Sequence, residues 1–559
     1  MHSHNPLIIQ SNNTLLLEVN NPLFAEARDA ITVFAHLEKS PEHMHTYSIT
    51  PLSLWNAAAL GISAKQVTSR LEQYTRYALP GNVIDTITEH MGRFGKLVLE
   101  TENGALILRC SDAAMLEGLT RQPKISVLIG APIDRFRVSL PPENRGLIKQ
   151  ALITAGFPVH DIAGYVDGEP MAMRLQTRLG DGTIFTVREY QKQASESYVG
   201  NAQMPGGSGV VVLPCGAGKT IVGIYAMNLL QRRTLILATN VTAVHQWKRE
   251  ILDKTDIPAD MIGQYSSECK EIKPVTIATY QILTYRKKKT DPFLHYGIFN
   301  AENWGLIIYD EVHLLPAPVF KFTANLQARR RLGLTATLIR EDGLENDVFT
   351  LIGPKKFDVP WKDLERQGWI ATARCIEIRV DLPQEEKLRC LSLTPREQIR
   401  AAYENARKIP IAQKLVQRHR GDRILIIGQY LTQLHEFAET FGAAIITGAT
   451  PNKKRDELYD SFRRGDISLL ILSRVGNFAV DLPDANVAIQ ISGTYGSRQE
   501  EAQRLGRILR PKKKGEQATF YSLVTRESKE LDFAMNRQLF LTEQGYSYDI
   551  EYEEAYLTD

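Results

Sequence analysis

Apolar positions along the chain fall into three textures. Over residues 46–100 they recur at helical spacing. Thr50 ahead of Pro51 offers an N-cap with proline at the first helical position, and "SLWNAAALG" ends at Gly61. Ser63 and Gln66 form a capping box that opens "AKQVTSRLEQYTRYAL", and Pro80-Gly81 punctuates it. "VIDTITEHMGRF" reads as a third helix leading into the apolar run "KLVLE". Over 104–170 the strand-like runs "ALILRC" and "ISVLIG" flank the helix "SDAAMLEGLTRQ". "PPENRGLIKQALITAG" begins on prolines and ends on glycine, as a helix does, and a strand at or just before "YVDG" closes the unit.

From about residue 184 the texture changes. The short apolar runs "GVVVLP", "RTLILAT", "VTIATY", "WGLIIYDE" and "RLGLTAT" alternate with helical stretches, the pattern of a parallel sheet with crossover helices. A second series follows in "DRILIIGQY", "AAIITG", "SLLILS" and "ANVAIQIS", after a charged helical stretch at 381–420. The expected fold class is therefore α/β, with two parallel-sheet lobes preceded by a helical module and a small α+β domain. The divisions are 1–103 (winged-helix-like, or a plain helical packing domain), 104–180, 181–370, 371–535, and a Tyr-rich acidic tail at 536–559.

Composition narrows the setting. At 559 residues, 43% hydrophobic and 23% charged, the chain is long enough for several ordinary globular domains. No run approaches 18 uncharged apolar residues, so no transmembrane helix is expected, and the first residues lack the basic flank of a signal peptide. Five cysteines without a CxxC pair fit neither a disulfide framework nor a zinc site, which points to a reducing, cytoplasmic setting. The net charge of +3 does not argue for nucleic acid. Taken singly, each of the basic runs "YRKKKT", "PNKKR" and "LRPKKKGE" fits a solvated surface better than a phosphate contact.

The chemistry lies in the α/β region. "GVVVLP" runs into "CGAGKT", which misses the strict phosphate-loop pattern only because Leu213 holds its first glycine position. Gly216 and Gly218 let backbone N–H groups turn toward phosphate oxygens, Lys219 reaches the β- and γ-phosphates, and Thr220 ligates Mg²⁺. "LIIYDEVH" sets Asp310 and Glu311 at the carboxyl end of a strand, where an open parallel sheet presents ligands. Asp310 is expected to hold Mg²⁺ and Glu311 to position the attacking water. In "QEEAQRLGRILRP", Gln503, Arg507 and Arg510 share a helix, with the arginines on one face as candidate fingers for the γ-phosphate.

These residues carry a resemblance. GxGKT, DEVH and QRLGRxLR together resemble a superfamily 2 helicase or translocase, and Arg340-Glu341-Asp342 directly after Thr335-Ala336-Thr337 resembles the RED motif of the XPB family of DNA repair helicases. The likeness is dense over 184–530, and the N-terminal modules resemble that family's more loosely. It implies two RecA-like lobes, ATP with Mg²⁺, 3′-to-5′ action on DNA, and a RED triplet that helps part the strands. It also implies that Arg188, Tyr190 and Gln191 of "VREYQ" meet the adenine, and that His313, Thr335 and Thr337 couple nucleotide state to domain movement. Gly476 and Asp481 would sit at the nucleotide cleft, and Thr239, Thr279 and Tyr280 would hold the strand's phosphates.

Asn477 departs from the aspartate many members carry there, and the region before the second lobe's first motif is compact. Two other readings stay open: an RNA-remodelling ATPase, against which His313 stands where a DEAD box has aspartate, and a non-unwinding translocase subunit serving a nuclease or repair complex. The acidic tail fits a packed terminus or a partner-docking peptide.

Overall fold

The computed structural model describes residues 4–557 apart from 42, 201–205, 215, 289–290, 292, 327–328, 339–344, 474–484, 495–496, 507 and 509–516. The chain divides into two compact units, Met1–Leu213 with Gly218–Asp358, and Val359–Asp559 with Pro214–Ala217.

The first unit opens on an antiparallel sheet that was not expected, in the order Leu7–Ile9, Thr14–Glu18, Met44–Ser48, His36–Lys39. These strands are three to five residues long, and only alternate side chains are buried, so the run of apolar residues is too short to announce them. The helices Pro51–Ala59, Ala64–Tyr74 and Gly81–Arg93 follow as expected, the first two opened by closed capping boxes.

The second sheet runs Pro132–Asp134, Arg137–Ser139, Ala105–Cys110, Leu97–Glu102, Val159–Asp161, antiparallel except for the last pair. The expected division at 103/104 is corrected here, because it falls in the hairpin turn joining Leu97–Glu102 to Ala105–Cys110. Asn103 (φ 51°) and Gly104 (φ 80°) are both left-handed there, as a tight hairpin requires. "ISVLIG" is corrected too. Its start lies in the helix Pro123–Ser126, with Ile125 buried in the core of this sheet, and no strand follows until Pro132.

The first parallel sheet lays seven strands side by side in the order Ile262–Tyr265, Val275–Thr279, Thr234–Ala238, Leu306–Asp310, Arg330–Thr335, Ser208–Val212, Lys355–Asp358. The interior strands are buried on both faces, which is why their sequences read as unbroken apolar runs. Since all run the same way, Val212, Ala238, Thr279, Asp310 and Thr335 end on one rim.

In the second unit the order is Ala444–Ile446, Leu469–Leu472, Ile424–Ile427, Val487–Gln490, Ala518–Thr525, Ala373–Val380, Tyr548–Tyr552, again all parallel. Two boundaries shift. Trp361, expected in the first lobe, is buried in the second unit, where its backbone N–H donates to Gln544 Oε1 at 3.2 Å and its ring meets Tyr546 edge-on. The tail is not separate: the helix Lys529–Glu543 crosses the expected 535/536 division, and Tyr548–Tyr552 is an edge strand of the sheet. Among the described residues, no helix is long and apolar enough to cross a membrane.

Candidate nucleotide site at the rim of the first sheet

Four segments that leave this rim bring their side chains together. The helix Lys219–Leu230 starts from Gly218, whose φ of +81° is left-handed, and Gly216 is left-handed as well at +82°. A side chain at Gly218 is doubly excluded, since a Cβ there would lie 2.4 Å from Gln191 Nε2. Gln191 is itself fixed: its Oε1 accepts the Arg188 backbone N–H at 3.0 Å at the start of the helix Glu189–Val199. That helix is tied to Lys219–Leu230 by Ser195 Oγ, which donates to the Val222 carbonyl at 2.9 Å. Arg188 Nη1 donates to the Tyr190 hydroxyl at 3.1 Å. The expected adenine-reading segment and the phosphate loop are therefore packed on each other.

Lys219 Nζ lies 3.3 Å from Glu311 Oε1, with both side chains largely buried. Glu311 is a non-glycine residue in the left-handed region, φ 48° and ψ 56°, a conformation that costs about 1–3 kcal/mol and concentrates at functional sites. Its Oε2 accepts no hydrogen bond from the described residues and lies 3.5 Å from His313 Nδ1. Burial pulls the Glu311 carboxyl upward, yet the Lys219 ammonium, with His313 and the Ala336 N–H, holds it below its ordinary value. Asp310 goes the other way, pushed up to about 6 by burial and by the Glu311 carboxylate.

Asp310 is held by a residue the sequence did not flag. Trp247 Nε1 donates to Asp310 Oδ2 at 2.9 Å, and the indole packs so tightly on Lys219–Leu230 that a Cβ at Gly223 would lie 2.6 Å from it. In sequence, Val244, Trp247 and Ile251 form one apolar face of the helix Val241–Lys254, which reads as core. No pattern in one sequence separates this indole from its neighbours.

His313 Nδ1 lies 2.7 Å from Thr335 Oγ1. The Thr335 hydroxyl donates to the Thr337 carbonyl at 2.5 Å and accepts the Thr337 N–H at 3.1 Å. Its single proton is thus committed, so His313 Nδ1–H is the donor to Thr335. The acidic segment and the Thr335-Ala336-Thr337 segment are joined by this relay.

Of the residues expected to hold DNA, Thr279 and Tyr280 have engaged side chains in the described structure, while the Thr239 hydroxyl bonds none of the described residues. Thr279 Oγ1 caps the helix Tyr280–Leu283, accepting the Ile282 N–H at 3.3 Å, and the Tyr280 hydroxyl donates to the Asp310 carbonyl at 2.9 Å. Thr239 is buried, and its carbonyl accepts from Gln281. Gln503 lies in the helix Arg498–Gly506. Arg340, Glu341, Asp342, Gly476, Asp481, Arg507 and Arg510 lie outside the described residues.

No cluster of three His, Cys, Asp or Glu that could cage a metal occurs among the described residues. Magnesium does not need one: it takes one or two protein oxygens and completes its octahedron with phosphates and water. The Asp310 carboxylate and the hydroxyl of Thr220, which follows Lys219 in the chain, fit that sparse donor set.

Comparison with known proteins decides the family. A Mycobacterium tuberculosis protein named DNA 3'-5' helicase XPB is 51% identical over 547 residues, covering 98% of this chain and 97% of its own. The chain belongs to the XPB family. A second XPB, from Kineococcus radiotolerans and named in the same words, is 50% identical over 98% of this chain and 96% of its own. XPB/SSL2 of Saccharomyces cerevisiae, named a helicase/translocase subunit of general transcription and DNA repair factor IIH, is 30% identical over 94% of this chain and 69% of its own. The family model described as ERCC3/RAD25/XPB C-terminal helicase matches residues 364–557, and that of type III restriction enzyme, res subunit, matches 184–340. A model described as helicase conserved C-terminal domain matches 7–134, a region built here of antiparallel sheet and helices.

Proposed function

We propose that the chain is an ATP-dependent DNA helicase or translocase of the XPB type. It works 3′ to 5′ in the cytoplasm, in DNA repair of the nucleotide-excision kind. The observation that supports this most is the buried Lys219–Glu311 pair beside Asp310, in a chain matched almost end to end by a relative named DNA 3'-5' helicase XPB. Lys219 meets the β- and γ-phosphates of ATP, and the loop N–H groups after Gly216 and Gly218 cradle them. Magnesium on Thr220 and Asp310 neutralises phosphate charge when bound. Glu311, kept ionised by Lys219, orients the attacking water through its open Oε2. Arg188, Tyr190 and Gln191 read the base, Gly476 and Asp481 line the nucleotide, and Gln503, Arg507 and Arg510 meet the γ-phosphate. The His313–Thr335–Thr337 relay carries nucleotide state toward Arg340, Glu341 and Asp342, which help part the strands. Thr239, Thr279 and Tyr280 shape the rim over which the strand's phosphates run.

Binding that rests on phosphates is largely sequence-independent and falls steeply with salt. The name of the yeast relative, helicase/translocase subunit, favours a second reading: a motor that translocates without unwinding and serves a nuclease or repair-complex partner. The test measures ATPase rate with single-stranded DNA, duplex DNA and RNA, together with displacement of a 3′-tailed duplex. DNA stimulation with displacement supports the helicase, and stimulation without displacement supports the subunit. Stronger stimulation by RNA defeats both. Asp342→Ala is expected to lower displacement while sparing most of the DNA-stimulated ATPase.

A further inference from the structure

The nucleotide site gives no task to the basic run Tyr285-Arg286-Lys287-Lys288. It follows the helix Tyr280–Leu283 at the carboxyl rim of the first sheet, and Arg286, Lys287 and Lys288 are all exposed. Beside it lies a cleft of about 450 Å³, within the roughly 300–1,000 Å³ typical of small-ligand sites.

Three aromatic rings line it. Phe293 and Tyr296 stack with centroids 4.8 Å apart and planes 26° from parallel. Tyr296 meets Phe322 at 4.8 Å, and Phe322 stacks on Phe299, which is buried in the core of the lobe. The stack is thus anchored rather than loose. The Arg286 guanidinium sits 4.9 Å above the Phe293 ring. Asn325 adds a polar amide to the lining.

We infer that this cleft takes one unpaired nucleobase of a DNA single strand, with the flanking phosphates on Arg286, Lys287 and Lys288. The inference rests on the DNA reading above and adds to it a place where the strand is held by a base rather than by its backbone. Charge favours this occupant over an apolar peptide side chain. Against the three cations the described part of this segment sets one carboxylate, Asp291, and that is engaged with the Lys288 backbone N–H at 3.0 Å. An aliphatic side chain would also bring nothing to the Asn325 amide, whereas every base brings both a π-face and a polar edge. Because any base has such a face, the site tolerates all sequences. A base held here resists backward slippage of the strand between steps.

The test uses the full-length protein and two fluorescent single strands of equal length, one of thymidines and one wholly abasic. The wild type is expected to bind the thymidine strand about tenfold more tightly. Phe293→Ala is expected to bring that ratio close to one while leaving abasic-strand affinity and DNA-free ATPase unchanged. Arg286→Ala, a surface change that leaves the rings in place, is expected to weaken both strands. A wild-type ratio near one overturns the inference. So does a ratio that survives Phe293→Ala, which would leave the cleft to a peptide side chain. Failure of the wild type to bind either strand defeats the DNA reading itself, a result distinct from both.

Discussion

Each unit buries a lysine against a glutamate, and the two pairs differ in how completely they are satisfied. In the second unit Lys408 Nζ bonds both carboxylate oxygens of Glu530, at 2.8 and 2.9 Å, and the carbonyls of Ile491 and Tyr403 at 3.0 and 3.2 Å. Glu530 also accepts the Thr525 N–H, and neither side chain reaches solvent. In the first unit Lys219 lies 3.3 Å from one oxygen of Glu311, and the other oxygen accepts no hydrogen bond from the described residues. Burial of charge costs free energy in both places. Where both carboxylate oxygens have partners the pair holds helices to strands. Where one oxygen is left open, on a residue whose own backbone is strained, the cost is recovered when a ligand arrives.

Substitutions that separate the two pairs are the sharpest tests. Lys219→Ala is expected to reduce ATP turnover by at least about 100-fold while moving the thermal midpoint little, as measured by a coupled ATPase assay and calorimetry. Lys408→Ala should do the reverse. It leaves Glu530 buried without its cation, so about 3–5 kcal/mol of stability is lost, seen as a lower denaturant midpoint with turnover per folded molecule unchanged. If Lys408→Ala costs turnover before stability, the comparison fails.

Trp247→Phe keeps the packing beside Gly223 and deletes the N–H donated to Asp310. Loss of a hydrogen bond to a charged group costs about 1.5–3 kcal/mol. The expected outcome is a higher magnesium requirement for ATPase activity, read from a titration at fixed ATP. The smallest effect belongs to a buried group kept neutral. Burial, with Arg28 nearby, lowers His45 in the N-terminal sheet to about 4. Its folded pKa lies below the unfolded value, so this stability is complete above about pH 6.5 and drains as pH falls toward 4. His45→Phe should flatten that acid limb by about 1–2 kcal/mol after allowance for solvent screening, measured as denaturant midpoints between pH 4 and 7.

What the sequence made legible follows from how strongly each element needs its own residues. Interior parallel strands buried on both faces announce themselves, and Ser208–Val212, Thr234–Ala238 and Leu306–Asp310 lie where their apolar runs stand. So do the capping boxes at Thr50 and Ser63. The N-terminal sheet was hidden because strands of three to five residues with one buried face hold too few apolar positions. Tyr548–Tyr552 was hidden because its exposed side chains and acidic composition resemble a free tail, although its backbone completes a sheet edge. At the site, Lys219, Asp310 and Glu311 were legible from spacing alone. Trp247 was not, because the same helix face serves both packing and the carboxylate.

The position of Ala373–Val380 in the second sheet also fixes an order of events during synthesis. This strand is the first of its sheet to leave the ribosome, yet its two neighbours, Ala518–Thr525 and Tyr548–Tyr552, are the last. One edge stays open until about 145 further residues have been made and the other until about 172, each exposed to any extended chain that meets it. The first unit, whose last strand ends at Asp358, can close much earlier. A nascent chain therefore carries a finished domain ahead of one that is still waiting for its edge, and holdase chaperones should find their target in residues 373–380.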